Sequence, residues 1–242
     1  MVQGEFICRL LERVGGYTVT RISHVGDFGT PMGRVIAYCL DKKDGFDLQQ
    51  LQTPQQLTEL YIAASQRAKD DPAFAEQSLQ ATLCLQEGRD QAIDAIWKHL
   101  CAVSRKGFQE LQEWFGVEPV ERGESFYKEQ LPGIVGLLQK EGLAVPSEGA
   151  QCVFVPNGKQ DAPFIVQKKD GSFLYATTDL AAMYHRTQQL KCQRIVILTD
   201  SAQQLHFHQL FYLAKQLRWL TLSDKSNKNI DRPISTYKCQ RG

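Results

Sequence analysis

From about residue 42 to about 142 the apolar side chains recur at three- and four-residue steps almost without a break, and this run dictates what the rest of the chain can be. Its clearest stretch is 89–115, where Ile93, Ile96, Trp97, Leu100, Val103, Phe108, Leu111 and Phe115 share one helical face between Gly88 and Gly116. A helix of that length reaches roughly 40 Å at ~1.5 Å per residue, enough to cross a domain. The flanks have a different rhythm. Phe6, Ile7, Leu10, Leu11 and Val14 predict a first helix that Gly15-Gly16 stops, residues 17–23 alternate like a strand, 24–30 form a glycine-punctuated loop, and 31–41 predict a second helix. After 142 come short β-rich runs at 152–155, 164–166 and 173–175, with turn residues at 156–158 and 170–171, which predict hairpins. Thr178-Asp179 then reads as the cap of a helix to about 190, residues 194–199 as a continuous apolar strand, and Asp200-Ser201 as the cap of a last helix to about 217. The expectation is an α/β fold whose two halves, 1–41 and 171–220, belong to one wound sheet and are separated by a largely helical insertion with short β hairpins over 42–170.

Composition narrows the class. With 28 Lys+Arg against 27 Asp+Glu in 242 residues and 43% hydrophobic residues, the chain is neither a DNA-coating protein nor disordered throughout. Residues 221–242 hold five Lys/Arg against two Asp with no period, and are expected to form a disordered tail. The seven cysteines are scattered singly, with no Cys-x-x-Cys pair, which argues against zinc and against a disulfide framework. Dispersed cysteines fit a reducing compartment, here the cytoplasm, with an organellar form left open. No stretch approaches the roughly 18 apolar residues of a membrane span.

Ligands of a parallel α/β sheet bind beyond the carboxyl ends of its strands, so the segments after each strand are the candidate sites. In 24–30 the glycines allow close backbone approach to a ligand that His24 and Asp27 can face, and a plain turn with a capping Asp accounts for the same pattern. In 200–206, Gln203 and His206 are three residues apart at the start of a helix, where backbone N–H groups are unused; there the structural alternative is that His206 and His208 fill gaps. At 175–179 the aspartate either caps its helix or offers two oxygens to a guanidinium or ammonium. No Walker loop, Gly-x-Gly-x-x-Gly or nucleophile elbow is present.

Four strings, in order, go further. Arg21-Ile-Ser-His24-Val-Gly26-Asp27-Phe-Gly29-Thr30, Glu121-Arg-Gly-Glu-Ser-Phe-Tyr127, Phe173-Leu-Tyr175-Ala-Thr-Thr-Asp179-Leu-Ala-Ala182 and Gln203-Gln-Leu-His206-Phe resemble the catalytic domain of the class I arginyl-tRNA synthetases over about residues 1–219. The resemblance implies a Rossmann-like catalytic domain, incomplete and split by the insertion. It implies activation of arginine with ATP and Mg²⁺ and esterification of tRNA(Arg). Tyr175, Asp179 and Gln203 match arginine-pocket positions, a planar carboxylate selecting arginine over lysine. His206 matches a position near the adenosine, and His24, Gly26, Asp27 and Gly29 match the loop that floors the site.

The departures are equally specific. Met1 falls where the family is already in the helix after its His-Ile-Gly-His signature, and the chain leaves the pattern before the Lys-Met-Ser-Lys-Ser loop. A truncated form with little activity of its own is therefore expected, and no catalytic residue or protein metal ligand is assigned. Phe28 stands where the family usually has Trp, and Pro31 where Gln is usual. The competing expectations are a non-catalytic module that binds tRNA or a partner through Arg105, Lys106 and the basic tail, and a non-functional truncated product.

Overall fold

The computed structural model describes residues 1–41, 47–155 and 163–220. The expected turn at 156–158 and the expected disordered tail from 221 lie outside them. The chain divides into two compact units, Met1–Lys128 and Glu129–Gly242.

In the first unit the helical period is realised nearly as written: α1 Val2–Arg13, α2 Thr30–Asp41, α3 Pro54–Asp70, α4 Pro72–Glu87 and α5 Gln91–Phe115. Local chemistry sets their ends. Thr53 and Gln56 form a reciprocal capping box at α3, while Asp71 accepts from Ala73 and Phe74 N–H at α4, each helix having proline at its first position. Gly88 and Gly116, at φ 69° and 59°, terminate α4 and α5 in the left-handed region that a side chain resists. The core gathers on α2, whose Val35, Ile36, Ala37 and Cys39 are buried. α2 approaches α4 so closely that a Cβ on Gly33 would lie 2.8 Å from the Ser78 carbonyl oxygen. The hydroxyls of Ser78 and Thr82 need no partner across that contact, since each donates to its own helix at 2.8 Å. α1 buries no residue and is held by charge: Arg21 bonds Glu5 and Glu12 at 2.7 and 2.8 Å.

Of the strand expected over 17–23, only β1, Ile22–Ser23, is paired, in parallel with β2, Val120–Glu121. A strand exists only as far as its neighbour reaches, and β2 is two residues long. The ladder nonetheless continues past both: the N–H groups of Val120, Arg122 and Glu124 donate to the carbonyls of Arg21, Ser23 and Val25 at 2.9–3.0 Å.

The second unit contains α6 Leu131–Lys140, an antiparallel sheet β3–β4–β5 (Val145–Ser147, Ala150–Val153, Phe164–Gln167), α7 Tyr175–Tyr184 and α8 Gln204–Gln216. β3 was not anticipated; it folds onto β4 through Glu148 and Gly149, both at positive φ. The expected hairpin between the runs 152–155 and 164–166 is present, with Cys152 opposite Ile165 and Val153 opposite Phe164, and the 170–171 turn forms, but Phe173 contributes a single bridge to Gln167 and Tyr175 already begins α7. Two expectations are corrected. Thr178-Asp179 is no cap: the helix starts three residues before Thr178, with Leu174 extended at its head, so Asp179 is the fifth helical residue. Residues 194–199 form no strand, since among the described residues 195–198 have no backbone hydrogen-bond partner. Asp200 does cap, accepting from Ala202 N–H at the turn Ser201–Gln203 that leads into α8.

Candidate functional site

In the second unit Tyr175 and Asp179 stand one turn apart on α7, hence on one face. His206, in the first turn of α8, reaches that face: its Nε2 is 2.6 Å from Asp179 Oδ2. The two side chains are only 12% and 13% exposed. The imidazole is fixed on three sides, stacked on Phe164 of β5 at 5.4 Å between ring centroids, tilted against Tyr175 at 4.8 Å and edge-on to Phe207 at 5.0 Å. Tyr175 itself is 56% exposed, so the cluster opens to solvent on its side. Thr177 anchors the start of α7 by donating to the Val166 carbonyl of β5, and Thr178 donates to Tyr175 O at 2.9 Å. One oxygen of the carboxylate is thereby held against the imidazole, one helical turn from the exposed Tyr175 ring.

The structure thus brings Tyr175, Asp179 and His206 together. Gln203 lies one turn before His206 at the head of α8, exposed, its side-chain oxygen accepting from the Thr199 hydroxyl.

In the first unit, His24, Gly26, Asp27 and Gly29 sit on a loop clamped by the segment after β2. His24 Nδ1 is 3.1 Å from the Arg122 carbonyl. Asp27, 6% exposed, accepts from both the backbone N–H (2.9 Å) and the hydroxyl (2.6 Å) of Ser125. Gly123 makes this possible, because a Cβ there would fall 2.7 Å from Asp27 Oδ2. Two helices secure the loop backbone: Trp97 Nε1 of α5 donates to Asp27 O at 2.8 Å and Gln86 of α4 to Phe28 O at 3.3 Å. Phe28 is buried. Glu124 runs along the glycines, its carboxylate 3.9 and 3.7 Å from where Cβ atoms on Gly26 and Gly29 would be. The glycines leave that strip of loop backbone open beside an acid, an arrangement suited to a ligand with cationic and hydrogen-bonding groups.

Sequence reasoning left out Phe164, Gly123, Glu124 and Ser125. The Glu121–Tyr127 string signalled the last three, since it was recognised as a block though no residue in it was given a role. Arg105 and Lys106, considered as tRNA contacts, are engaged: Arg105 forks onto Glu121 at 2.8–3.1 Å, which raises its pKa, and Lys106 donates to Gln52. Among the described residues no three His, Cys, Asp or Glu side chains gather to hold a metal ion, and no helix is long and apolar enough to cross a membrane.

The fold is that of a class I synthetase catalytic domain. The chain belongs to the family described as tRNA synthetases class I (R), catalytic domain, whose model matches residues 1–228. An arginine–tRNA ligase of Synechococcus is 41% identical over 228 residues, and one of Protochlamydia amoebophila 34% over 226. Each alignment covers 90% of this chain and 38% of the relative, so the chain spans well under half the length of these curated relatives. The solved arginyl-tRNA synthetase of Plasmodium falciparum superposes with a TM-score of 0.70 at 31% identity, over 89% of this chain and 36% of that one.

Proposed function

We propose that this chain carries the arginine-recognising part of an arginine–tRNA ligase, the whole protein activating arginine with ATP and transferring it to tRNA(Arg). The observation that carries the reading is the Asp179–His206 contact beside Tyr175. With the proton on Nε2, His206 orients one carboxylate oxygen of Asp179, and a carboxylate is the planar acceptor that the fork of a guanidinium matches. A lysine ammonium presents no such fork, which gives selection for arginine. Tyr175 and Gln203 would line the same pocket. His206 is proposed for the adenosine side of that pocket, and within the first unit the loop of His24, Gly26, Asp27 and Gly29 is proposed by itself as a nucleotide-side element. This division corresponds to catalytic-domain sequence at 1–41 and 171–220 around an insertion. Mg²⁺ finds no ligand set among the described residues, and the proposal assigns it no step.

Isothermal titration of the chain with arginine and with lysine tests the reading. Binding of arginine in preference to lysine, lost in Asp179→Asn while the far-UV spectrum is unchanged, supports it; equal or absent response to both amino acids refutes the assignment of the pocket.

A further inference from the structure

Among the described residues three aromatic rings meet the His206 imidazole, and one of them lies flat against it. The Phe164 ring is within 14° of parallel at 5.4 Å between centroids, whereas Tyr175 and Phe207 meet the imidazole at 59° and 74°. The 2.6 Å contact of Nε2 with Asp179 Oδ2 fixes where one ring atom lies and leaves the ring plane undetermined, because the torsion that turns an imidazole on its Cβ is broad. A planar contact removes that freedom. Stacking also covers only the face of the imidazole, so its edge, which carries both nitrogens, stays available for hydrogen bonding. Phe164 has little freedom itself. It is 3% exposed, lies opposite Val153 in the β4–β5 pairing, and alternates with half-buried Ile165 so that it shares a face of β5 with Val166. The Val166 carbonyl accepts the Thr177 hydroxyl at the start of α7. β5 therefore touches both carriers of the Asp179–His206 pair, α7 through Thr177 and the head of α8 through the imidazole.

We propose, on the basis of the arginine reading above, that Phe164 is a positioning residue of the amino-acid pocket: its ring sets the plane in which the His206 imidazole meets Asp179, so that selection of arginine depends on a buried side chain of the β3–β4–β5 sheet. The effect is one of alignment. A hydrogen bond to a carboxylate weakens steeply as the donor N–H turns away from the acceptor, and a bond to a charged group has the most to lose. With the Phe164 ring in place the direction of the His206 N–H is fixed before a ligand arrives, and one oxygen of Asp179 is fixed with it. The amino acid then meets a carboxylate already oriented, and none of its binding energy goes into ordering it. A guanidinium fork reads the orientation of a carboxylate, whereas an ammonium reads mainly its charge. Loss of the stack therefore weakens arginine binding more than lysine binding.

Two substitutions in the 242-residue chain separate the ring from the volume it fills. Phe164→Leu keeps an apolar side chain and removes the flat face, while Phe164→Tyr keeps the face and buries a hydroxyl, so that its cost falls on stability. The readouts are calorimetric titration with arginine and with lysine, and the NMR signals of the His206 ring protons, assigned by their absence in His206→Asn. In Phe164→Leu the ring protons are expected to lose the upfield shift that a stacked aromatic imposes, and the preference for arginine over lysine to drop about two- to tenfold, the worth of an aromatic pair. Phe164→Tyr is expected to retain both although it melts earlier. A preference that falls in both variants in proportion to their melting temperatures overturns the proposal, since it marks Phe164 as packing alone. Phe164→Leu with the imidazole signals and the preference of the parent overturns it as well. A parent chain that binds arginine and lysine equally refutes the arginine reading and leaves the positioning to the imidazole signals: shifted in Phe164→Leu and kept in Phe164→Tyr they support it, unchanged in both they overturn it.

Discussion

The imidazole Nε2 of His206 lies 2.6 Å from Oδ2 of Asp179, joining the first turn of α8 to the middle of α7 across 27 residues of chain. Both groups are largely withdrawn from water, so the bond is stronger and more directional than its surface equivalent, and either partner left alone there is costly. For function, Asp179→Asn removes the charge that a guanidinium requires while keeping the shape. Arginine affinity is expected to fall by about thirty- to a hundredfold, the worth of a charge-assisted fork. His206→Asn leaves the carboxylate but releases its plane, so calorimetry should register a smaller loss of affinity together with a narrowed preference for arginine over lysine.

The clamp on the glycine loop makes a stability prediction with a built-in control. Gly123→Ala forces a Cβ to within 2.7 Å of the Asp27 carboxylate, and Asp27→Ala strips the Ser125 N–H and hydroxyl of their acceptor. Each should cost about 1–3 kcal/mol in urea unfolding, with an unchanged m-value. Gly133 of α6 has nothing within 4 Å of its missing Cβ, so Gly133→Ala should instead stabilise by up to about 1 kcal/mol. Should Gly123→Ala be neutral, the close approach is not what holds the loop.

How much of this was open to sequence reading depends on the range of the interaction that decides each element. The helices were legible because the period that buries Ile93, Ile96 and Leu100 is local, and α5 begins at Gln91 and ends at Phe115, close to its anticipated limits. The 194–199 segment failed as a strand because apolar, β-branched composition supplies propensity while a strand also needs a partner, and no local signal reports one. The β3–β4 hairpin turns on Glu148-Gly149 rather than Asn-Gly or Asp-Gly, and Glu at positive φ gives no warning. Asp179 was legible as a binding candidate and misread as a cap for the same reason: its chemistry suits both, and what settled the matter was Leu174, whose side chain caps nothing. Phe164 comes to its site from a distant element, so no spacing within one segment points to it.

Acid should loosen α1 before the rest of the first unit. Arg21 and Arg9 hold the Glu5 carboxyl down at about 2, against an ordinary 4.5. A carboxylate whose folded pKa is depressed adds stability that is fully present above the unfolded value and disappears as pH falls through the folded one. The window here runs from about 4.5 down to about 2. Glu5→Gln should therefore melt somewhat earlier than the parent chain at neutral pH, and the gap should close across that window. The difference should also shrink somewhat with added salt, because the Arg9 partner is exposed while Arg21 is part-buried, and α1 has no buried residue to fall back on. A gap that stays constant from neutral pH to pH 2 would mean that packing rather than charge attaches the helix.

The cysteines offer a readout of packing that needs no ligand. Burial raises the thiols of Cys39 and Cys101 to about 12, so almost no thiolate exists at either near pH 8, and the two residues, on α2 and α5, are 6% and 7% exposed. Cys84 and Cys192 are part-exposed. The thiolate is the reactive species, and both its population and its accessibility must be supplied for alkylation. Iodoacetamide at pH 8, followed by peptide mass spectrometry, should label Cys84 and Cys192 before the other cysteines of the described residues and leave Cys39 and Cys101 unmodified until urea unfolds the first unit, when both should react together. Early labelling of Cys39 with Cys101 still protected would mean that α2 detaches from α4 while α5 holds, and would place the weak seam of the unit at the Gly33 contact.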